Sequence, residues 1–225
     1  MQAAAALSLA TPSMALGRER EGYFSELYDV DRSIVSLDAA YYGAMTRSTR
    51  NHYRAQTDWV NRNHSTFLRS ALAGPTRDER LQPASDAVAG LIGAAPDEIA
   101  LCAGGTEALY GLIVNYAPLK PGDAIAMADV DYDEMQYAMA HLEATRGVTL
   151  KRIAIPEPST TAAILETYDR LFQATPRLRL LLLTHISNRN GLVMPVREIA
   201  AMARARGIDI ILDAAQSVGL LPVDV

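Results

Sequence analysis

Lysine is nearly absent from this 225-residue chain: all but two of its 21 Lys and Arg residues are arginine, and the two are Lys120 and Lys151. Cysteine is scarcer still, with Cys102 alone, which excludes an internal disulfide framework and any cysteine-built metal cluster. The four histidines, His52, His64, His141 and His185, fall at no metal-ligand spacing, so no metal site is expected. Positive charge is in deficit, with a formal net charge of -5, and that balance argues against nucleic acid or an anionic membrane as partner. No apolar run is long enough to make a transmembrane helix. Neither a GxGxxG fingerprint nor a GxxxxGK[ST] loop is present, which disfavours a dinucleotide-binding fold or a P-loop.

What the chain does have is apolar residues, 49% of the total, beside an ordinary charged fraction of 21%. That is a globular composition with enough length for one sizeable core. Residues 1–20, "MQAAAALSLATPSMALGRER", stand apart. The Ala/Leu run before Ser13-Met14-Ala15 is similar to the apolar region and cleavage site of an export signal, without its basic start. An Ala-rich tail that is disordered or weakly helical is the alternative. Location therefore stays open between cytoplasmic and exported (periplasmic).

Residues 21–225 read as an N-terminal part followed by one large domain. A short helix and an extended segment ending near Ala39 come first. Residues 46–70 read as helix then loop, and "TRDERLQPASDAVAGLIGA" as helical over its second half, ended by Gly93-Ala94-Ala95-Pro96. Strands are then expected at 98–104, 124–129, 149–155, 178–186 and 208–214. They alternate with helices at 106–117, 133–145, 161–174 and 195–207. This alternation predicts an α/β fold, a mostly parallel sheet with helices on both faces.

Ligands of such sheets bind beyond the carboxyl ends of the strands. At the first of these ends, Gly105 and Thr106 open a helix whose N–H groups suit a phosphate, although a tight strand–helix turn would look the same. At the second, Tyr132 offers an aromatic face for a flat ring, with a helix-capping turn at Asp131 or Asp133 as the plainer reading. The fourth ends in Asn188, an amide able to meet a ring oxygen, in a stretch that could equally be a simple loop. The fifth ends in Asp213, with Gln216 three residues on. A carboxylate after so apolar a strand is costly to bury unless a cation meets it or it caps a following helix. A phosphorylated pyridine with a phenolic oxygen would use all of these groups, with Asp213 paired to the protonated ring nitrogen.

Three stretches carry a family resemblance: "AGGTEAL", "HISNRNGLVMPV" and "DIILDAAQSVGLLPVDV", with "SLDAAYYG" as a fourth near the start. Together they resemble the class V aminotransferase family of fold type I pyridoxal-phosphate enzymes, which includes cysteine desulfurases and isopenicillin N epimerase-like proteins. The resemblance covers roughly residues 35 to 225. It implies pyridoxal 5'-phosphate as cofactor, held at the phosphate by Gly105 and Thr106, stacked on Tyr132 and bonded at the phenolic oxygen by Asn188 and Gln216. Asp213 would act catalytically at the pyridine nitrogen. It further implies chemistry on an amino acid or amine through an aldimine and a Cα carbanion, in a homodimer when the chain is complete. Tyr132, where desulfurases usually place a histidine, looks more like the epimerase-like branch.

One departure accompanies the likeness. The family's Schiff-base lysine follows the Asp-x-x-Gln strand by some two dozen residues, and this chain ends at Val225. The expectation is therefore an incomplete large domain that lacks the lysine and is inactive alone. A non-catalytic module that binds the cofactor, or only a partner, is the alternative.

Overall fold

The computed structural model describes residues 25–37, 43–69 and 77–225. The Ala-rich tail and residues 38–42 of "SLDAAYYG" lie outside the described residues. The chain divides into two units, Met1–Arg80 and Leu81–Val225.

In the first unit, helix α1 (Arg47–Arg62) starts where the Thr46 hydroxyl accepts the Thr49 N–H, an ordinary N-cap. Asp29 pairs with Arg47 and Arg50 near this start. Where a loop is expected, a second short helix, α2 (His64–Leu68), follows Asn63. Trp59 meets Phe67 edge-to-face at 6.1 Å, and the Arg80 guanidinium lies 3.5 Å from the Trp59 ring centroid. No residue of α1 or α2 is buried.

Helix α3 (Arg77–Ile92) is longer than its sequence suggests and contains Pro83. Proline removes one intrahelical hydrogen bond. Pro83 is exposed, so water can satisfy the carbonyl left over.

The second unit holds a four-stranded parallel sheet in the order β2-β1-β3-β4: β1 (Ala124–Ala128), β2 (Thr149–Ile153), β3 (Leu178–Thr184) and β4 (Asp209–Asp213). Four helices connect and cover it: α4 (Gly105–Val114), α5 (Asp133–Arg146), α6 (Thr161–Ala174) and α7 (Val196–Arg204). Two-residue periodicity sorts the strand side chains into two cores. Ala124, Ala126, Ala128, Leu181 and Leu183 pack with α6 and α7. Ile125, Met127, Leu180, Leu182 and Ile211 pack with α4 and α5. Both faces are thus covered, which is why β1 is apolar along its whole length and β3 is apolar from Leu180 to Leu183. A bulge at Arg179, where the β1 register shifts between Ala124 and Ile125, lets Leu178 share a face with Leu181.

The expected strand at 98–104 is not formed. Pro96–Glu98 is a single 3-10 turn, and the extended residues after it find no strand partner among the described residues. An apolar, extended stretch becomes a strand only when a neighbour takes its backbone groups; Leu101 and Cys102 are instead exposed.

The connections decide where a ligand can sit. From β1 the chain leaves through α5 on one face, and from β3 it leaves through α7 on the other. β1 and β3 are neighbours, so the two exits diverge and open a crevice between their carboxyl ends. This is the switch point of a doubly wound sheet.

Candidate functional site

Every residue expected to hold the phosphorylated ring is described, and each lies at the carboxyl edge of this sheet or just beyond it. Gly104 caps α4 in an extended conformation, and Gly105 and Thr106 are its first two helical residues. No side chain caps this helix; the Glu107 carboxylate instead reaches back past its start to accept the Ala103 N–H at 2.7 Å. The first N–H groups of α4 point out of the helix with no partner of their own in the helix. A Cβ built on Gly104 would meet nothing within 4 Å, and one on Gly105 would lie 3.7 Å from the Ala215 Cβ. The helix start thus faces open space beside the turn that follows β4.

Tyr132 is the residue before α5 and half-buried, with its ring packed against the core under α4 and α5. The plainer reading, an aspartate cap at Asp131 or Asp133, does not hold. Asp133 is the first helical residue and pairs with Arg189 from the β3–α7 loop.

Asp131 turns inward. It is 1% exposed, and it accepts the Ala128 N–H at 2.7 Å and the Thr184 N–H at 3.0 Å. Burial pushes its carboxyl up to about 6, a rise opposed by those bonds and strengthened by the charge of Asp213.

Beyond β3 the chain forms a small hairpin. Met194 N–H bonds the His185 carbonyl, Ser187 N–H bonds the Leu192 carbonyl, and Gly191 turns at φ +70. Asn188, half-buried, sits in the tight turn of this hairpin. The Ser187 hydroxyl donates to the Val130 carbonyl at 2.9 Å and so ties the hairpin to the turn after β1. His185, to which the sequence gives no role, is buried; desolvation lowers its imidazole from the usual value, and its Nδ1 has no hydrogen bond.

Asp213 ends β4 in register with Thr184. Its carbonyl accepts the His185 N–H at 2.9 Å, and its Oδ1 accepts the Ala215 N–H at 3.0 Å. No helix follows it, so it caps none. It is 6% exposed, yet neither it nor Asp131 makes an ion pair with an arginine or lysine among the described residues. Asp123, at the opposite end of β1, shows the contrast. Arg177 lies 2.9 Å away, and that bond holds its carboxyl below the usual range. Gln216 follows three residues after Asp213 and is half-buried.

The edge thus offers unpartnered helix N–H groups, an aromatic ring, two amides and a buried carboxylate with acceptor sites to spare. Those are the donors and acceptors that a phosphate, a flat ring, a phenolic oxygen and a ring N–H require. The residues fit pyridoxal phosphate. The two lysines stand elsewhere: Lys120 lies in the turn before β1, with its N–H on Asp123, and Lys151 is exposed within β2. An open pocket of about 280 Å³ against Leu91 and residues 218–223 includes none of the candidate residues.

The sequence matches the family described as aminotransferase class-V over residues 49–225. It is 32% identical over 203 residues to isopenicillin N epimerase of Streptomyces clavuligerus, covering 87% of this chain and 47% of that protein. It is 30% identical over 211 residues to a probable cysteine desulfurase of Methanothermobacter thermautotrophicus, covering 90% and 50%. Among solved structures, a cysteine desulfurase of Escherichia coli superposes with a TM-score of 0.71 at 18% identity, over 90% of this chain and 50% of that one. A variant of C-DES, solved with glycine covalently linked to its PLP cofactor, gives 0.67 at 20% identity over 95% and 52%. The chain spans about half the length of the relatives it matches.

Proposed function

The chain belongs to the aminotransferase class-V family, and on that premise we propose that its second unit is the cofactor-holding part of a pyridoxal-phosphate enzyme acting on an amino acid or amine. The observation that carries the proposal is Asp213: a buried carboxylate at the switch-point edge with no cationic partner among the described residues. Burying a lone carboxylate is unfavourable by several kcal/mol, and a protonated pyridine nitrogen would remove that penalty.

When bound, the cofactor supplies an aldehyde that captures an amine and a ring that draws electrons from Cα. The chain's own residues hold and tune it. Gly105 and Thr106 offer backbone N–H groups, and Thr106 a hydroxyl, to the phosphate at a helix start that favours negative charge. Tyr132 presents its ring to the pyridine. Asn188 and Gln216 supply amide donors to the phenolic oxygen, and Asp213 keeps the proton on the ring nitrogen. The identity to isopenicillin N epimerase and the tyrosine at 132 favour the epimerase-like branch over desulfuration. Neither Lys120 nor Lys151 stands at this edge, which favours holding of the cofactor by non-covalent contacts within this stretch of chain.

The test is titration of the protein with pyridoxal phosphate, followed by visible absorbance. Saturable binding is expected, weakened about tenfold or more in Asp213→Ala by loss of a charge-assisted hydrogen bond. Borohydride reduction should then leave neither Lys120 nor Lys151 specifically modified. Equal binding by Asp213→Ala, or a specific adduct on either lysine, would sink the assignment.

A further inference from the structure

The cofactor contacts proposed above make no use of Asp131, although it is the more deeply buried of the two carboxylates at this edge. It does not cap a helix and has no arginine or lysine partner among the described residues. Its two oxygens go to different strands. Oδ2 accepts the Ala128 N–H, at the last residue of β1, and Oδ1 accepts the Thr184 N–H, at the last residue of β3. These are the strands that flank the switch point, where the connections leave to opposite faces and no further β1–β3 pairing closes the sheet.

Three further bonds pin the same turn. The Asp131 N–H bonds the Ala128 carbonyl at 3.2 Å, Gln136 Nε2 donates to the Asp131 carbonyl at 2.7 Å, and the Ser187 hydroxyl donates to the Val130 carbonyl. Tyr132 is the next residue, so its backbone is set by this turn. On the other side, Thr184 lies in register with Asp213, and His185 N–H bonds the Asp213 carbonyl. A path of backbone links and two hydrogen bonds therefore runs from Tyr132 through Asp131, Thr184 and His185 to Asp213.

We infer that Asp131 is a positioning residue: by bridging the ends of β1 and β3 it fixes the ring of Tyr132 relative to the carboxylate of Asp213, and so the orientation of a flat cationic ring held between them. The inference rests on the cofactor reading of the site. Asparagine has the same size, but its amide can satisfy only one of the two N–H groups and turns a donor toward the other. The path is then cut at one strand while the volume is kept.

The experiment compares the full chain with Asp131→Asn and Ser187→Ala, titrating each with pyridoxal phosphate and recording circular dichroism in the cofactor's visible band. Induced circular dichroism reports the asymmetry of the ring's surroundings, which a substitution that only lowered stability would leave unchanged in the folded fraction. Asp131→Asn is expected to weaken binding about tenfold, the equivalent of one charge-assisted bond, and to change the sign or at least halve the induced signal per bound cofactor. Ser187→Ala, which cuts one bond in the same turn and leaves the buried charge in place, is expected to change the signal in the same direction by less. It decides the matter should Asp131→Asn fail to fold. Wild-type affinity with an unchanged signal in the folded variants overturns the positioning role. No binding by the unsubstituted chain overturns the cofactor reading and this inference with it.

Discussion

At the scale of single residues, the proposed site rests on two buried carboxylates, of which the sequence marks one as a candidate. Asp213 announces itself because it ends an apolar strand, where a charge needs a reason. Asp131 sends the same signal, a carboxylate just past a wholly apolar strand, but it lies between Asp129 and Asp133, and an acidic turn before a helix reads first as a cap. The structure gives the cap position to Tyr132 and sends Asp131 into the interior. Its titration supplies a check. Burial raises its carboxyl from 3.8 to about 6, so between those pH values the folded chain holds a proton that the unfolded chain has released. The stability this group contributes is whole below about pH 4 and is lost as pH rises through about 6, by up to about 3 kcal/mol. The stability of the wild type relative to Asp131→Asn should therefore fall between pH 4 and 6.5 in denaturant titrations. Asp123, whose shift has the opposite sign, is common to both proteins and cancels. A difference that is flat or rises with pH would contradict the burial of Asp131.

At the scale of elements, helix boundaries came close wherever capping chemistry is explicit. Asp133–Arg146 ends at Gly147 in the left-handed region, φ +66, as the expected end near residue 145 requires. Gly147→Ala should cost about 1 kcal/mol from backbone strain alone. A Cβ there would lie 3.5 Å from the Pro121 Cβ, an ordinary contact. The urea midpoint should fall with an unchanged slope; an unaltered midpoint would mean that the turn relaxes. Where the reading failed, the missing information was non-local. Residues 98–104 have a strand's composition, but pairing depends on a neighbour that composition does not specify. Pro83 argues against a helix start upstream of it, yet an exposed helix tolerates the lost bond. The Ser187–Val130 and Arg189–Asp133 links join loops more than fifty residues apart, and no local pattern marks them.

At the scale of the whole second unit, strand–helix alternation gave the layers, and the apolar strands gave the two covered faces. The strand order β2-β1-β3-β4 is what alternation alone leaves open. That order places the switch point between β1 and β3, with Asp131 and Tyr132 beyond one strand and Asn188 beyond the other. Asp213 stands one strand further on, and the start of α4 meets the turn after it through Gly105 and Ala215. Residues drawn from four separate stretches of sequence thus share one edge, the carboxyl end at which open α/β sheets bind their ligands. The measurement that tests this most directly is a crystal structure of the chain grown with pyridoxal phosphate. The expected result has the phosphate on the N–H groups of Gly105 and Thr106 and the ring nitrogen within hydrogen-bond distance of Asp213. A cofactor bound elsewhere, with Asp213 facing only protein and water, would contradict it.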